Sequence, residues 1–479
     1  MNELNDKSAA VATDEEVANP NRWRILVVLA AVAFMAQLDL FIVNVAVPAI
    51  GDSFPGSGLS SISWVLNAYA VVFAALLVPA GRLADHFGRR RFLLVGVTIF
   101  TVASAICAVS PSLAVLVGGR ALQAVGAALI VPTSLGLLYP SFPKSEHARV
   151  VGIWAGVAAV AATAGPPIGG LLIGLSWRWI FVVNLPIGVA TVIAGRRLLP
   201  EVRAAKGARL PDGVSAVLLL AAVSLFVVAT VQVPEWGWDD GRTLALFALA
   251  ALATLLTVVR SIRNPNALIE KSLFRSREFT VSSIALFLVF VSFAAWLLGT
   301  VLFFQDEWHY SALGAGLAIA PGPAVAAIFA INAGRFRKRL GPVTPAVIGT
   351  LAMGGMGVWW LVFATSEPHY LYVLPALLLG GVASGMTQAP LYAAANTLPA
   401  DRATTGSAVL NMSRQIGSAV GVALLVALLA TSTPDSLGEF RRGWVLIVVG
   451  GWGATAVIFF GLRGIGRKVP APARAAARS

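Results

Sequence analysis

Residues 25–50 read ILVVLAAVAFMAQLDLFIVNVAVPAI, an apolar run that contains a single acid, Asp39. A helix needs about 20 predominantly apolar residues to cross a bilayer, so this run is long enough. Similar runs fill the chain of 479 residues, which is 58% hydrophobic and 12% charged. Soluble domains carry roughly 25% charged residues. The sequence therefore predicts an all-α polytopic membrane protein.

Apolar runs bounded by charges, glycine, proline and aromatic residues predict fourteen membrane spans. They lie near residues 25–50, 62–81, 92–110, 113–139, 150–174, 179–198, 212–233, 242–260, 279–304, 312–333, 342–364, 369–394, 405–430 and 443–462. The longest segments outside a span are the first 21 residues and the segment from Arg260 to Glu278, so no soluble domain fits between the spans. Any function must be built within the membrane.

The basic residues orient the predicted spans. If the N-terminus is cytoplasmic, most of the 35 Lys and Arg residues lie on the cytoplasmic side, and the external loops hold only Arg178, Arg242, Arg441 and Arg442. Cytoplasmic loops of membrane proteins are enriched in Lys and Arg. Together with the preference for arginine over lysine, which hints at a GC-rich bacterial genome, this predicts a multi-pass protein of the bacterial inner (cytoplasmic) membrane. Both termini are predicted to be cytoplasmic.

Several function classes are excluded by the same composition. The net charge of +13 is spread over loops, so it does not indicate nucleic-acid binding. The sole cysteine, Cys107, lies in an apolar run and cannot form an intramolecular disulfide. The histidines fall at span ends, without the spacing of metal ligands. We expect no metal, no cofactor and no enzymatic activity, since no nucleophile and base are paired in the sequence.

An internal repeat divides the chain. Residues 80–88 read AGRLADHFG and residues 333–341 read AGRFRKRLG, each between two spans on the predicted cytoplasmic face. The offset divides fourteen spans into six, two extra and six, although any basic loop with glycines would look similar. The predicted regions are a disordered cytoplasmic tail (1–21), an N-terminal bundle (22–200), two additional spans (201–265), an amphipathic linker (266–278), a C-terminal bundle (279–465) and a cytoplasmic tail (466–479). Repeated halves around a site at the bilayer midplane are a known transporter design.

Five local patterns, taken together, resemble the major facilitator superfamily and in particular its fourteen-span drug:proton antiporter branch. The first is LDLFIVNVAVPAIG, Leu38–Gly51, although Phe41 stands where many members have a threonine. The others follow in order along the chain: Gly81, Leu83, Asp85, Gly88, Arg89, Arg90 and Arg91; Arg120, Gln123 and Gly126; Gly165, Pro166, Gly169 and Gly170; and Trp177, Arg178, Trp179, Phe181, Asn184 and Pro186. The resemblance implies the major facilitator fold and export of lipophilic drugs or antibiotics in exchange for protons.

Asp39 and Arg120 are the predicted proton-coupling residues. Asp39 is the only carboxylate placed well inside a span, where an ionised group is costly and marks a functional site by default. A buried positive charge such as that of Arg120 favours the ionised carboxylate, so the pair could set proton binding jointly. Two alternatives stay open: a packing role for Asp39, satisfied by Gln37, Asn44 or Arg120, and a structural role for Arg120 as a clamp on backbone carbonyls.

A gating latch is predicted at the loop that holds Gly81, Asp85, Gly88, Arg89 and Arg90. The glycines permit close helix approach, and Asp85 can accept hydrogen bonds from an arginine or a helix N-terminus. Such bonds would hold the cytoplasmic ends together in the outward-facing state, a role that the resemblance also implies. An ordinary positive-inside loop would explain the arginines but not the acid between two glycines.

Span five carries the antiporter pattern of Gly165, Pro166, Gly169 and Gly170. Small residues let helices pack closely in lipid, and prolines bend them. The pattern indicates a bent, tightly sealed contact that prevents ion leak and favours exchange. Packing without a functional role is the alternative, because similarly spaced glycines occur elsewhere in the chain.

An amphipathic substrate chamber is predicted from polar and aromatic residues inside spans, where apolar surface gives affinity and a few polar groups give orientation. The candidates are Gln37, Gln123, Trp296, Gln388, Tyr392, Asn411, Arg414 and Gln415. Roles facing lipid or in packing are equally compatible with each residue.

The predicted function is proton-driven export of small lipophilic compounds by alternating access, with protons and the bilayer as further partners and a monomer as the working unit. A proton-coupled importer or lipid translocator of the same fold is the nearest alternative. A membrane scaffold without transport activity predicts neither a carboxylate within a span nor repeated halves. With one acid accompanied by Arg120 and Arg414, neutral or weakly anionic substrates deserve equal weight with cations.

Overall fold

The computed structural model describes residues 20–143, 146–203, 212–264, 273–398, 403–429 and 436–463. These ranges hold fourteen long helices and no strand: α1 Arg22–Ser53, α2 Leu59–Phe87, α3 Arg89–Ala108, α4 Leu113–Leu138, α5 His147–Ile173, α6 Trp179–Leu198, α7 Gly213–Trp236, α8 Gly241–Arg263, α9 Arg277–Glu307, α10 Ala312–Ile331, α11 Thr344–Phe363, α12 Tyr370–Tyr392, α13 Ala403–Leu429 and α14 Ser436–Gly461. The predicted all-α architecture is confirmed.

Thirteen of these helices are long and apolar enough to cross a membrane. The remaining one, α5, is 27 residues long, but its fully described apolar stretch covers only Ala164–Ile173. Because about 20 apolar residues are needed for a span, the count of fourteen stays a prediction. The protein is a multi-pass membrane protein in either case.

The helix ends follow from local chemistry. Ser276, Ser311, Asp212 and Asp240 each precede a helix and accept a hydrogen bond from a backbone N–H of its first turn. Such side chains satisfy donors that have no partner inside the helix. Two spans are interrupted: α6 has an irregular turn at Val183, and α10 has one at Ala320, just before Pro321. Proline removes a backbone donor and breaks the regular ladder.

The helices form two bundles of six with two helices beside them. In the first bundle α1 packs on α5, and α4 packs on α2 and α3. In the second, α9 packs on α13 and α14, and α11 packs on α12 and α14. The halves meet where α2 contacts α13 and where α5 contacts α10. The two additional helices pair with each other, and α7 lies against both α2 and α13.

Both copies of the internal repeat are helical, which corrects the prediction of a loop. Residues 80–87 continue α2, and Ala333–Leu340 form a short helix of their own. Each copy ends at a glycine with positive φ: Gly88 at 117° and Gly341 at 89°. Glycine is the residue that adopts this conformation at low cost, so the repeat marks two equivalent helix ends. The boundaries of the predicted regions stay predictions, and the tails and most of the linker lie outside the described residues.

Candidate functional site

A buried ion pair joins α1 to α4. The Asp39 and Arg120 side chains are 0% and 1% exposed, and Arg120 NH1 donates to Asp39 Oδ2 at 2.5 Å. The pairing that the sequence suggested is therefore present. Because removing one partner leaves an uncompensated buried charge, loss of either residue from such a pair typically destabilises a protein by about 3–5 kcal/mol.

Two amides complete the coordination of the carboxylate. Asp39 Oδ1 accepts from Gln123 Nε2 at 3.1 Å and from Asn184 Nδ2 at 2.9 Å. Gln123 also donates to Ser104 Oγ at 2.8 Å and accepts from Arg120 NH1 at 2.8 Å. With these residues, Asp39 and Arg120 form what we call the charge site, which draws on α1, α3, α4 and α6.

Arg120 is also held from its other side. Its Nε donates to the carbonyl of Val65 in α2 at 3.0 Å, and its guanidinium lies 4.4 Å from the ring centroid of Tyr69. The predicted clamp on a backbone carbonyl thus coexists with the ion pair, and the two alternatives for Arg120 do not exclude each other. A cation over an aromatic face is attracted by the ring quadrupole.

The charge site fits the ionised form of Asp39. Both carboxylate oxygens accept hydrogen bonds, and all three neighbouring groups donate. A protonated carboxyl carries an O–H donor of its own, so uptake of a proton adds a donor to a group whose three partners already donate to it. Of the three donors to Asp39, only Arg120 is charged, so loss of its bond would change the charge balance of the site most.

A cavity lies between the two halves, next to the charge site. It encloses about 50 Å³ and is lined by residues of α1, α2, α4, α9 and α13: Leu40, Phe41, Asn44, Leu66, Asn67, Ala70, Arg120, Phe290, Phe293, Ala294, Leu297, Gln415, Ser418, Ala419 and Val422. Pockets for drug-sized ligands enclose roughly 300–1,000 Å³. The halves must therefore move apart before a molecule of that size enters.

Of the eight residues predicted to line the substrate chamber, only Gln415 is among the described lining residues of the cavity. Gln415 lines the cavity, whereas Gln123 belongs to the charge site. Tyr392 donates its hydroxyl to Asn411 Oδ1 at 3.0 Å, which joins α12 to α13. Buried Trp296 and Arg414 lie beside cavity-lining phenylalanines, while half-buried Gln37 and Gln388 are not among the lining residues.

The predicted latch makes its described contacts within the first half. Arg89 NH1 donates to the carbonyl of Gly136 in α4 at 2.6 Å, and its backbone N–H donates to Val202 O at 2.9 Å. The backbone N–H of Arg90 donates to Glu201 Oε1 at 3.2 Å. These bonds tie the start of α3 to α4 and to the segment after α6. The side chain of Asp85 lies outside the described residues, so its latch role stays a prediction.

The glycines of α5 lie at close helix contacts. A Cβ on Gly165 or Gly169 would lie 2.9 Å from the side chain of Phe41 or Ile42 in α1, and one on Gly170 would lie 2.6 Å from the Ala312 carbonyl in α10. A side chain on Gly316 of α10 would in turn collide with the carbonyl of Pro166. Small residues on both helices thus let the two halves meet without intervening side chains.

Three kinds of site residue were missed by reasoning from the sequence. Asn184 was noted only as part of a motif, although it binds Asp39. Asn67 and the phenylalanines of α9 were not singled out, yet they line the cavity. Glu201, which bonds the start of α3, follows a predicted span as one acid among several loop charges. A signal existed only for Asn184 and Asn67, because both are amides within or next to predicted spans.

Comparison with known proteins agrees with this architecture. A model of the Major Facilitator Superfamily matches residues 29–422. The multidrug resistance protein Stp of Mycobacterium tuberculosis is 36% identical over 86% of this chain and 76% of its own. The tetracenomycin C resistance and export protein of Streptomyces glaucescens is 32% identical over 90% and 81%, and the methylenomycin A resistance protein of Bacillus subtilis is 33% identical over 84% and 86%.

A solved structure shows the same fold. The crystal structure of the peptide transporter POT in complex with sulfate superposes with a TM-score of 0.66 at 17% sequence identity, covering 91% of this chain and 95% of that one. The resemblance seen in the sequence motifs, to the superfamily and its drug-efflux branch, is confirmed by the relatives. The chain belongs to the Major Facilitator Superfamily, whose members are membrane transporters and not enzymes.

Proposed function

We propose that this protein exports small lipophilic compounds from the bacterial cytoplasm in exchange for protons, by alternating access between its two halves. One observation carries the proposal: Arg120 pairs with the buried carboxylate of Asp39 and also lines the cavity between the halves. A single side chain therefore contacts both the group that would carry the proton and the space that would hold the substrate.

Proton uptake by Asp39 would free Arg120. With its carboxylate neutralised, Asp39 no longer balances the guanidinium, which then remains as an uncompensated charge at the edge of the cavity. The affinity of the cavity for the substrate therefore differs between the state with protonated Asp39 and the state with the intact ion pair. Exchange follows if the substrate and the proton favour opposite states of this pair.

Alternating access is supported by where the halves touch. Several contacts between them lie toward the end at which α1 and α5 finish: Gly170 with Ala312, Pro166 with Gly316, and Gln305 Nε2 with the Val45 carbonyl at 3.4 Å. With the orientation predicted from the basic residues, this is the external end. We infer that the described state is closed to the outside and that transport requires these contacts to separate.

The names of the relatives support export of a drug or an antibiotic. Their names refer to multidrug resistance and to resistance against tetracenomycin C and methylenomycin A. By analogy we propose an antibiotic or another small lipophilic compound as the substrate here. We further propose that the protein works as a monomer, because both halves of one chain contribute to the cavity next to the charge site. The distribution of Lys and Arg supports placing both termini in the cytoplasm.

Asp39→Asn tests the proposal. The protein is reconstituted into liposomes that contain a pH-sensitive dye, and proton movement is recorded when a candidate substrate is added. The unchanged protein should move protons only with substrate present, and Asp39→Asn should not move them at all. Asp52→Asn provides the matched control, because Asp52 lies in the same helix but is exposed at its end.

The direction of proton movement separates export from its alternatives. An importer or a lipid translocator of the same fold would show protons moving together with substrate, or no response to small soluble compounds. Undiminished coupling in Asp39→Asn would exclude Asp39 as the proton carrier. A protein that moves no protons with any compound would contradict the proposed function itself.

A further inference from the structure

Two of the side chains that line the cavity each hold a buried polar atom without a partner in the described ranges. Asn67 Oδ1 and Gln415 Nε2 belong to cavity-lining side chains that are 0% and 1% exposed, and neither atom has a hydrogen-bond partner in the described ranges. Such groups are rare in folded proteins because an unmet buried hydrogen bond is costly. Their position on opposite halves, in α2 and α13, indicates a ligand that bridges the halves.

The orientation of the Asn67 amide follows from its neighbours. Ser63 Oγ donates to the carbonyl of Ser60 at 2.6 Å, so it accepts from Asn67 Nδ2 at 3.4 Å. The oxygen of the amide is thereby left as the free acceptor. Gln415 offers a free N–H donor from the other side. The unpartnered atoms of the lining residues are thus one acceptor and one donor.

The electrostatics of the cavity disfavour a cation. Among the described lining residues Arg120 alone is charged, and Asp39 already neutralises it from outside the lining. Arg414 is 8% exposed, and its guanidinium lies 5.4 Å from the ring centroid of cavity-lining Phe290. A positively charged molecule would find no carboxylate in the lining and would be repelled by this second arginine.

Aromatic side chains shape the remaining surface. Phe41 and Phe293 meet edge to face at 6.1 Å between ring centroids, and Phe290 lies 5.5 Å from Phe293. All three line the cavity and come from both halves. Flat aromatic groups pack favourably against such rings in offset or edge-to-face arrangements.

We propose that this cavity selects uncharged, flat aromatic compounds that carry a hydrogen-bond donor beside an acceptor, and that it discriminates against lipophilic cations. The acceptor of the compound takes the Gln415 Nε2 hydrogen, and its donor binds Asn67 Oδ1. The inference rests on the proposed export function, since it names the class of substrate that the same cavity would carry.

Three compounds with one ring skeleton test the inference. 2-Quinolinone is neutral and has an N–H next to a carbonyl, 1-methyl-2-quinolinone lacks the donor, and 1-methylquinolinium is a cation. Binding of each radiolabelled compound to the purified full-length protein in detergent is measured by scintillation proximity. We expect 2-quinolinone to bind about tenfold more tightly than its methyl derivative, as loss of one buried hydrogen bond would give. The cation should bind more weakly than either.

Two isosteric variants assign the contacts. Asn67→Leu should remove the preference for 2-quinolinone over 1-methyl-2-quinolinone, because only the former donates to Asn67. Gln415→Met should weaken both neutral compounds by a similar factor and leave their ratio unchanged, because both carry the carbonyl. Gln232→Met, in α7 and outside the cavity lining, is the matched control and should bind like the unchanged protein. Neither cavity variant should lower Tm substantially, since each removes a buried polar atom without a partner, and Asn67→Leu gives up in addition only the long 3.4 Å bond to Ser63.

Each opposite result overturns the inference in a recognisable way. Equal or tighter binding of 1-methylquinolinium would show that the cavity takes cations, and proton flux driven by that cation would leave the export proposal standing. A preference for 2-quinolinone that persists in Asn67→Leu would remove the assigned contact. Predicted binding without proton flux for any compound would keep the ligand class but contradict export.

Discussion

Each half of this protein buries an arginine, and the two arginines are neutralised differently. In the first half, Asp39 and Arg120 neutralise each other, and both oxygens of the carboxylate accept hydrogen bonds. In the second half, α13 buries Arg414 and Gln415 with no acid in the helix, and Arg414 Nε and Gln415 Nε2 have no partner in the described part of the chain. A fold with two similar halves therefore carries two dissimilar sites.

This difference indicates that the two sites have different functions. A carboxylate that accepts hydrogen bonds at both oxygens can change its bonding when a proton arrives, whereas unpartnered donors gain most from a ligand that bonds them. The charge site of the first half is therefore suited to handling the proton, whereas the unpartnered donors of α13 are suited to holding the substrate together with Asn67 of the first half. The cavity lies where the two meet, with Arg120 and Gln415 both in its lining.

The largest effect is expected for the pair in the first half. Arg120→Ala leaves Asp39 buried without its countercharge, so transport should be lost completely and stability should fall by about 3–5 kcal/mol. Substrate-driven proton flux in liposomes measures the first effect, and thermal unfolding in detergent measures the second. Folded protein in the membrane with unaltered transport would leave Arg120 a structural role alone.

The corresponding change in the second half serves as the control. Arg414→Ala removes a buried arginine of the same kind, but it leaves the charge site intact. Proton flux should therefore persist with substrates that the variant still binds. Equal loss of proton flux in Arg120→Ala and Arg414→Ala would contradict the proposal that the two arginines have different roles.

The next largest effect is expected at the contact between α5 and α10. Valine at Gly170 would collide with the backbone of Ala312 and Leu313, because even a Cβ would lie 2.6 Å from each. The halves must then separate at this end. We expect a proton leak without substrate and a transport rate reduced about tenfold or more, because interiors are tightly packed and small displacements have large effects on rates. Dye-loaded liposomes under an imposed pH gradient report the leak.

Gly118→Val is the matched control for this contact. Gly118 is a glycine of α4 whose added Cβ would meet no atom within 4 Å. The two substitutions share their cost in helix propensity, so only the collision distinguishes them. A tight, active exchanger with valine at Gly170 would show that the glycines of α5 have a packing role only.

A smaller effect is expected when the positive charge of the second half is removed. Arg414→Met keeps the length of the side chain but removes a buried charge that has no carboxylate partner among the described residues. Thermal stability should rise, because such a charge is costly in this environment. Affinity for 1-methylquinolinium relative to 2-quinolinone should increase a few-fold, which the binding assay measures. An unchanged ratio would mean that Arg414 contributes nothing to charge selection.

The sequence was sufficient to find residues whose burial in the membrane is costly in free energy. Asp39 and Arg120 stand out because charges inside apolar runs are expensive and therefore rare. Asn184, which donates to Asp39, did not stand out, since which polar groups meet depends on how each helix is rotated about its axis. Phe290 and Phe293 were equally hidden, because a phenylalanine that lines a cavity and one that faces lipid look the same in a sequence.

The helical conformation of the internal repeat also could not be predicted from the sequence. Gly81 and the charges that follow it are typical of a loop, but the described residues from 80 to 87 extend α2, and the turn comes only at Gly88. A glycine inside a helix is tolerated when close packing requires it, and a Cβ on Gly81 would lie 3.3 Å from Pro132 of α4. The contact with α4 becomes visible only in three dimensions.

The smallest effect is expected at a second aspartate with nearly the same donors as Asp39. Asp212, at the start of α7, accepts from the guanidinium of Arg260, from Asn264 Nδ2 at 3.1 Å and from Ser215 Oγ at 2.6 Å. The Asp212 side chain is 8% exposed, but Arg260 is 40% exposed, so water reaches the pair through the arginine, and ion pairs screened in this way contribute little. Asp212→Asn keeps a good helix cap and removes only the charge.

We expect this variant to transport normally and to melt about 1 °C lower at neutral pH. The hydrogen bond from Arg260 holds the pKa of Asp212 well below its usual range, so the stabilisation is present above the ordinary pKa of about 3.9 and is lost as the pH falls below it. The difference in Tm between variant and parent should therefore shrink in acid. Loss of transport would show that an aspartate paired with a partly exposed arginine is also essential. It would remove the contrast between the fully buried pair at Asp39 and a contact at Asp212 that only joins two helices.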